Sequence, residues 1–537
     1  MKRILPFLIL GCVFLLPLYV VSPLFGSSYI PTHDGEYHII RFVEFYRMLS
    51  QGYWFPKWAP TMNSGYGIPI FLFHYPLPNY VGAFFQFLGR NAVDAFKLSM
   101  GLGYVLSYIS CFIWLRKLFG TKAAAFGTVL AGCVPYWFVD MYVRGSVGEI
   151  WAIALLFMAL VSIEYKRLIF CSFIIGALVV SHNILAMLFV PFLVGYMFIR
   201  NKQFFPAIFF GLGLASFFWI PALFERQYVV GLNTVDFREH FVALYELLIP
   251  SWGTEFSGAA FGGNKISFQI GIIPLGILIL SFFVFFRSKE KEMKQLCIYI
   301  ACVMLCSIAC MLPWSKFLWE YITPLQFIQY PWRLLSFLIP CIAFLGAYSA
   351  KKIGKTFLFA CIGIAAFVFS FHYMSPVLYA PRDTWYYLSR PNFTDGTSSM
   401  GNSFSTIWTG WKSKRPQYLI EVLNGKVSGG ITTNTFLTKT FTIASAQGAD
   451  VYMSILYYPG WEVLVDKKPV PIDYKTDGTI RFSVASGSHH IVVHFGETLI
   501  RTVANFISLV SLVWLLGWGI LGIYERRYRH FTTVIKS

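Results

Sequence analysis

Pro69-Ile70-Phe71-Leu72-Phe73-His74-Tyr75-Pro76-Leu77-Pro78-Asn79-Tyr80-Val81-Gly82-Ala83-Phe84-Phe85-Gln86-Phe87-Leu88 decides how this chain is arranged. The run is as long as the roughly 20 apolar residues that carry a helix across a bilayer core of about 30 Å. Counted as a crossing, it inverts every later loop. Pro76 and Pro78 interrupt it, and a proline inside a helix removes a backbone donor and clashes with the preceding turn. The stronger test is where the basic residues fall.

Twelve other stretches read as membrane spans: 4–25, 95–115, 123–139, 148–165, 168–181, 184–199, 204–222, 266–286, 295–312, 328–349, 356–374 and 499–523. With 69–88 left out and the N-terminus inside, seven basic groups fall on the cytoplasmic side. They are Lys2 and Arg3; Arg116, Lys117 and Lys122; Lys166 and Arg167; Arg200 and Lys202; Arg287, Lys289, Lys291 and Lys294; Lys351, Lys352 and Lys355; and Arg526, Arg527, Arg529 and Lys536. That is 20 bases against four acids (Glu164, Glu290, Glu292 and Glu525), which leaves 23 bases against 21 acids elsewhere. The net charge of +18 thus follows the positive-inside rule and calls for no nucleic-acid partner. Counting 69–88 would put those groups outside, so it is read as a partly dipping segment along the outer surface.

Composition agrees. Hydrophobic residues make up 57% of the 537 and charged residues 13%, about half the usual charge of a soluble domain. Disorder and a single water-soluble core are both excluded. The first apolar stretch is too long for an ordinary signal-peptide core and lacks a small-x-small site, so it is kept as span one. All ten cysteines lie in predicted spans, which implies no disulfide framework. Cys302, Cys306 and Cys310 share a helix face and read as small packing residues.

Three long polar pieces, 26–94, 223–265 and 375–498, share one face, and loops that carry polar residues are where function gathers. In the first, Ile39, Phe42, Val43 and Tyr46 oppose Arg41, Glu44 and Arg47 at helical spacing, which predicts an amphipathic juxtamembrane helix. In the last, Trp461, Val463 and Val465 alternate with Glu462, Leu464 and Asp466, and similar runs follow at 480–484 and 490–495. Asn424-Gly425, Pro459-Gly460, Asp477-Gly478 and Ser486-Gly487 supply the turns. The expected architecture is a polytopic α-helical membrane protein of about twelve spans (1–374), an exterior β-sandwich-like domain (375–498), and a last span with a basic cytoplasmic tail (499–537). Both termini are placed in the cytoplasm of a plasma-membrane protein.

Polar residues cluster at the outer ends of spans. His33, Asp34, Glu36 and His38 follow span one, with Asp34 and Glu36 on either side of a flexible Gly35 where a helix starts. A carboxylate there is favoured in its ionised form, which suits a general base or a cation ligand, although Asp34 or Thr32 could simply cap the helix. Asp140, Tyr142, Arg144, Gly145 and Glu149 fall on the same face. Arg144 could hold a phosphate or snorkel to lipid headgroups. Arg333, just inside its span, wants an anionic partner, and His182-Asn183 either lines a pocket or closes a connection. His489, His490 and His494 suggest zinc only weakly, since no paired cysteines accompany them.

The Asp34/Glu36 pair and the Phe73-His74-Tyr75-Pro76-Leu77-Pro78 stretch that follows resemble the GT-C superfamily of polytopic glycosyltransferases. Tyr142-Val143-Arg144-Gly145 with Glu149, Ser181-His182-Asn183, Tyr330-Pro331-Trp332-Arg333 and Tyr457-Tyr458-Pro459-Gly460-Trp461 resemble a bacterial membrane family labelled "6-pyruvoyl-tetrahydropterin synthase-related" and akin to YfhO-type proteins. The three-histidine zinc site that a pterin synthase needs is not evident.

The resemblance implies transfer of a sugar from a polyprenyl-phosphate carrier to a glycan or envelope-polymer acceptor on the outer face. Asp34 would be the catalytic base and Glu36 its neighbour or a metal ligand. Arg144 and Arg333 would hold phosphate, Glu149 would be the second acid, and His33, His38 and His182 would contact substrate. A divalent cation (Mg or Mn) held by Asp34 and Glu36 is the one candidate cofactor, and membrane lipid is the surrounding partner. The alternatives are a transporter or flippase of lipid-linked glycans and a non-catalytic envelope-assembly protein.

Overall fold

The computed structural model describes residues 5–26, 28–231, 235–258, 264–285, 291–389, 403–409 and 412–536, so Lys2, Arg3, Arg287 and Lys289 lie outside the described residues. Each apolar stretch becomes a helix or a bent pair of helices. Among the described residues seven are long and apolar enough to cross a membrane, or nine if each bent pair is one crossing. The pairs are Thr121–Gly132 with Pro135–Arg144, turned by 49°, and Lys202–Leu214 with Ser216–Phe224, turned by 64°.

Among the described residues Leu168–Val179 is apolar but only 12 residues long, and the full-length crossings number seven to nine, not twelve. Hydropathy measures apolar length whatever the backbone does: residues 267–271 count towards the eighth expected span but are not helical. The deciding stretch, 69–88, folds as a 3-10 turn at Ile70–Leu72 and an 11-residue helix at Leu77–Phe87. It is too short to cross.

Two helices of equal hydropathy reveal the solvent. Val147–Glu164 and Leu499–Leu521 both have a mean hydropathy of 1.9, yet 89% of the first is buried inside the protein and 17% of the second. An apolar helix left that open in water would be an aggregation surface; here hydrocarbon covers it, and the chain is a membrane protein. Cys302 and Cys306 are exposed on Lys291–Met311 and do not pack against a neighbouring helix as expected. A helix apolar all round carries no pattern that separates its lipid face from its protein face.

The amphipathic helix forms at Gly35–Ser50, but much of its polar face is covered too. Arg41 and Glu44, expected in solvent, are buried. Glu44 accepts hydrogen bonds from the Thr61 hydroxyl at 2.6 Å and from Arg47 at 3.0 Å, because the 51–68 segment folds over that side.

The C-terminal strands are β1 (Ile420–Asn424), β2 (Val427–Asn434), β3 (Thr438–Ser445), β4 (Ala449–Leu456), β5 (Trp461–Val465), β6 (Lys468–Val470), β7 (Thr479–Val484) and β8 (Gly487–Phe495). They form two antiparallel sheets, ordered β1-β4-β7 and β2-β3-β8-β5-β6. The turn dipeptides sit at strand ends, and Trp461 and Val463 point inward as their alternation requires. Residues 375–389 and 403–409 carry no strand and bridge to the helical body at Tyr29↔Ala380 and Val229↔Thr406.

Buried contacts hold the sheets to the helices. Trp58 lies 5.6 Å from the Trp461 ring and 5.4 Å from Phe495. Arg501, in the first turn of the last helix, donates to Glu225 Oε2 through Nε at 3.0 Å and Nη2 at 2.8 Å, and to the Pro459 carbonyl at 2.8 Å. Thr498 and Tyr458 complete the shell around Glu225. Removing one partner of a buried pair strands the other charge, a loss of about 3–5 kcal/mol. Arg501→Met is therefore expected to lower the melting temperature of the purified protein sharply, with Glu225→Gln/Arg501→Met recovering part of it. Equal melting of single and double variants would contradict this role.

Candidate active site

A cavity of about 230 Å³ opens where the turn before Gly35–Ser50, the break at 73–76, the turn at Val139–Arg144, the 182–184 turn, the loop that holds His240 and Phe256, and the start of Pro331–Ile353 meet. Backbone contacts fix the junction. His33 N–H donates to the Val143 carbonyl at 3.0 Å and Asp34 N–H to the Arg144 carbonyl at 2.8 Å. Gly35 is no hinge here. A Cβ there would come within 2.7 Å of the Tyr29 hydroxyl, so glycine provides close approach. Val139–Arg144 is a π-helical turn, ended by Gly145 at a φ of 68°; such turns are frequent at functional sites.

Asp34 occupies the N-cap position, yet its side chain makes no capping hydrogen bond and lines the cavity. Glu36 goes elsewhere. Its carboxylate pairs with Arg382, because residues two apart on a helix do not face each other. The expected acidic pair is therefore split. Burial pushes the Glu36 carboxyl up, against the pull of Arg382.

The arginines converge on Glu149, which is fully buried behind the cavity wall. Glu149 Oε1 accepts from Arg144 Nη2 at 2.8 Å and Arg333 Nε at 2.7 Å, and its Oε2 accepts from the Tyr136 hydroxyl at 2.9 Å. Arg144 also pairs with Asp140 and lies 4.7 Å from the Trp332 ring. Arg333 Nη1 donates to the Ile328 carbonyl at 2.8 Å and to Gln329 Oε1 at 3.3 Å. Among the described residues, Nη2 of Arg333 is left as an unengaged donor on a residue that lines the cavity. Glu149 holds the two cations in place and does not reach the cavity.

Rings run from this end towards Asp34. His182 lies 5.0 Å from Tyr75, Tyr75 4.1 Å from His74, and His74 5.5 Å from His38. Tyr75 is wedged against Gly148, where a Cβ would approach its ring to 2.6 Å. All three imidazoles are held neutral. Burial, and then Arg41, push His38 and His74 far below the ordinary histidine value, and burial brings His182 to about 3 despite Glu149. On the far wall, His33 stacks on Phe256 at 4.3 Å and its Nε2 meets the Thr254 carbonyl at 2.8 Å. His240 Nδ1 pairs with Ser257 Oγ at 2.7 Å, 4.9 Å from the Tyr330 ring.

Of the residues singled out from sequence, His33, Asp34, His38, Arg144, His182 and Arg333 line the cavity together. Sequence reasoning missed Arg41, His74, Tyr75 and His240. Arg41 was assigned to a solvent face, the next two were noted only as an aromatic stretch, and nothing near His240 marks it. A divalent cation does not fit: Glu36 is turned away, and no three His, Cys, Asp or Glu residues cluster to hold one among the described residues. His489 pairs with Asp466 and His494 with Glu462, so no zinc site forms there.

Neutral buried imidazoles make stability depend on pH. The unfolded chain takes up protons near pH 6.5, whereas these histidines resist them in the fold. Their stabilisation is whole above about pH 6.5 and is lost as pH falls towards the folded values, by up to about 1.4 kcal/mol per unit for each histidine. The melting temperature is expected to drop steadily from pH 7 to pH 5, less steeply in His74→Gln. A flat profile would show the imidazoles to be charged in the fold.

No family profile and no curated protein matches the chain. Among solved structures it is similar to ArnT from Cupriavidus metallidurans bound to undecaprenyl phosphate, with a TM-score of 0.39 and 14% identity over 65% of this chain and 60% of that one. It is also similar to the Archaeoglobus fulgidus oligosaccharyltransferase in two forms. In complex with Zn and sulfate the TM-score is 0.34, with 14% identity over 68% of this chain and 53% of that one. Tethered to an acceptor peptide containing the NVT sequon it is 0.34, with 13% identity over 71% and 56%. The likeness thus spans little more than half the length of those chains.

Proposed function

We propose that this protein is a membrane glycosyltransferase that moves a sugar from a polyprenyl-phosphate carrier to a hydroxyl of a cell-envelope acceptor, on the extracytoplasmic face. The carrying observation is that Asp34, relieved of helix capping, shares one cavity with Arg144 and Arg333, whose guanidinium groups a buried carboxylate holds in place.

An acceptor hydroxyl is a weak nucleophile. Asp34 takes its proton as the oxygen attacks C1 of the sugar. The bond from C1 to the phosphate oxygen breaks, and its electron pair leaves with the polyprenyl phosphate. Arg333, with its unengaged Nη2, stabilises that charge, and Arg144 supports it. A phosphate leaving group needs no protonated carboxyl, which suits a cavity that Asp34 alone lines with a carboxylate among the described residues, Asp140 and Glu149 lying behind its wall and committed to arginine. The distribution of basic loops supports the outer face, where nucleotide sugars are absent and a donor arrives through the membrane. Transport fits less well, because transporters place ionisable groups near the bilayer midplane.

Asp34→Asn is expected to lower transfer from undecaprenyl-phosphate-linked hexoses in proteoliposomes roughly 10²–10⁴-fold with unchanged melting temperature; retained transfer would remove Asp34 as the base. Arg333→Lys cannot keep Nε on Glu149 while reaching the phosphate. It is expected to raise KM for the donor about tenfold or more, with a smaller change in kcat. An unchanged KM would place the phosphate elsewhere.

A further inference from the structure

A second cavity, larger than the one at Asp34, belongs to none of this chemistry. It is an apolar groove of about 510 Å³ between Val13–Phe25, Thr121–Gly132 and Thr356–Ser370. Leu16, Tyr19, Phe126 and Phe367 supply much of its wall, and the small Ala123, Ala125, Ala360 and Gly363 keep it open. Gly363 shows the room available: a Cβ there would lie no closer than 3.7 Å to Val129.

The groove has a charged end and an apolar end. Lys122 and Thr356 line one end, and Tyr19 and Phe367 lie towards the other. From Thr356 to Phe367 the helix rises about 17 Å, close to half of the roughly 30 Å hydrocarbon core. That depth matches one leaflet. The charged end lies at the start of Thr121–Gly132, whose continuation Pro135–Arg144 leads to the active-site cavity, so the two cavities occupy opposite ends of the molecule.

At the charged end Lys122 is exposed, and it makes no ion pair among the described residues; Lys351 follows the lining residue Ala350 in the chain, Lys355 precedes the lining residue Thr356, and both are exposed as well. Two helices also begin there, Thr121–Gly132 after Gly120 and Thr356–Ser370 after Lys355, and neither has a side-chain cap. Their first amide groups add partial positive charge to that of the lysines.

We propose that this groove binds an anionic phospholipid, with its phosphate at Lys122 and Lys355 and one acyl chain lying along the Ala360–Gly363 wall. Charge complementarity selects the occupant. A neutral lipid would gain only from the groove, whereas an anionic headgroup also meets a basic cluster, the arrangement by which basic pockets between membrane helices select acidic lipids. The site is independent of the proposed transfer reaction and lies in the other leaflet from it.

The test uses the full chain in nanodiscs of phosphatidylcholine with and without phosphatidylglycerol, read by melting temperature and by native mass spectrometry of retained lipid. Phosphatidylglycerol is expected to raise the melting temperature and to be retained as a bound lipid. Lys122→Gln/Lys355→Gln is expected to weaken retention by about fivefold for each lysine. Ala360→Phe, which fills the groove and leaves both lysines, is expected to reduce retention too. Equal retention of the neutral lipid, retention unaffected by either variant, or an equal shift from glycerol phosphate alone would each overturn the proposal.

Discussion

One carboxylate organises the site. Glu149 is fully buried, and without partners its charge could not persist at that depth. It receives Arg144 from the preceding turn and Arg333 from a helix distant in sequence, both on the same oxygen. That convergence joins the π-helical turn of Val139–Arg144 to the start of Pro331–Ile353 and fixes the direction of both guanidinium groups. With Asp140 paired to Arg144, two cations meet two anions. The cluster is neutral as a whole, yet it still presents an Nη2 donor on a cavity-lining arginine. Preorganisation of this kind lets a cation act on an incoming anion without first reorganising its surroundings.

Much of the fold was legible because the bilayer imposes it. Apolar length and basic loops marked the long helices, and the rejection of 69–88 rested on charge; Pro76 and Pro78 stand at the start of the short helix that forms there. The strands were legible from alternation and turn dipeptides. Three things were not. The helix at Leu168–Val179 is shorter than its apolar run suggests, and the eighth expected span begins with residues 267–271 that are not helical. The lipid-facing side of Lys291–Met311 leaves no signature in an apolar run. The burial of Arg41 and Glu44 depends on the 51–68 segment, which periodicity within Gly35–Ser50 cannot register.

The site was legible to the extent that polar residues at the ends of apolar runs are rare and conspicuous. Asp34, Arg144, His182 and Arg333 all showed that mark, and all line one cavity. Glu36 showed it too, but a spacing of two turns it towards Arg382. Glu149 is the subtler case. It was read as an acid available to substrate, whereas the fold commits it to two arginines. His74 and His240 come from segments whose paths across the cavity follow from tertiary packing alone.

The order in which the chain is made gives the Glu149 cluster a further significance. A carboxylate entering hydrocarbon alone would oppose insertion. Its first counter-charge, Arg144, lies five residues earlier and is translated with it, while Arg333 follows only after several more helices have been synthesised. The acid can therefore be delivered to the translocon already neutralised by its neighbour, and the later arginine docks onto a cluster that is waiting for it. Biogenesis and the architecture of the finished site are served by the same short stretch of chain.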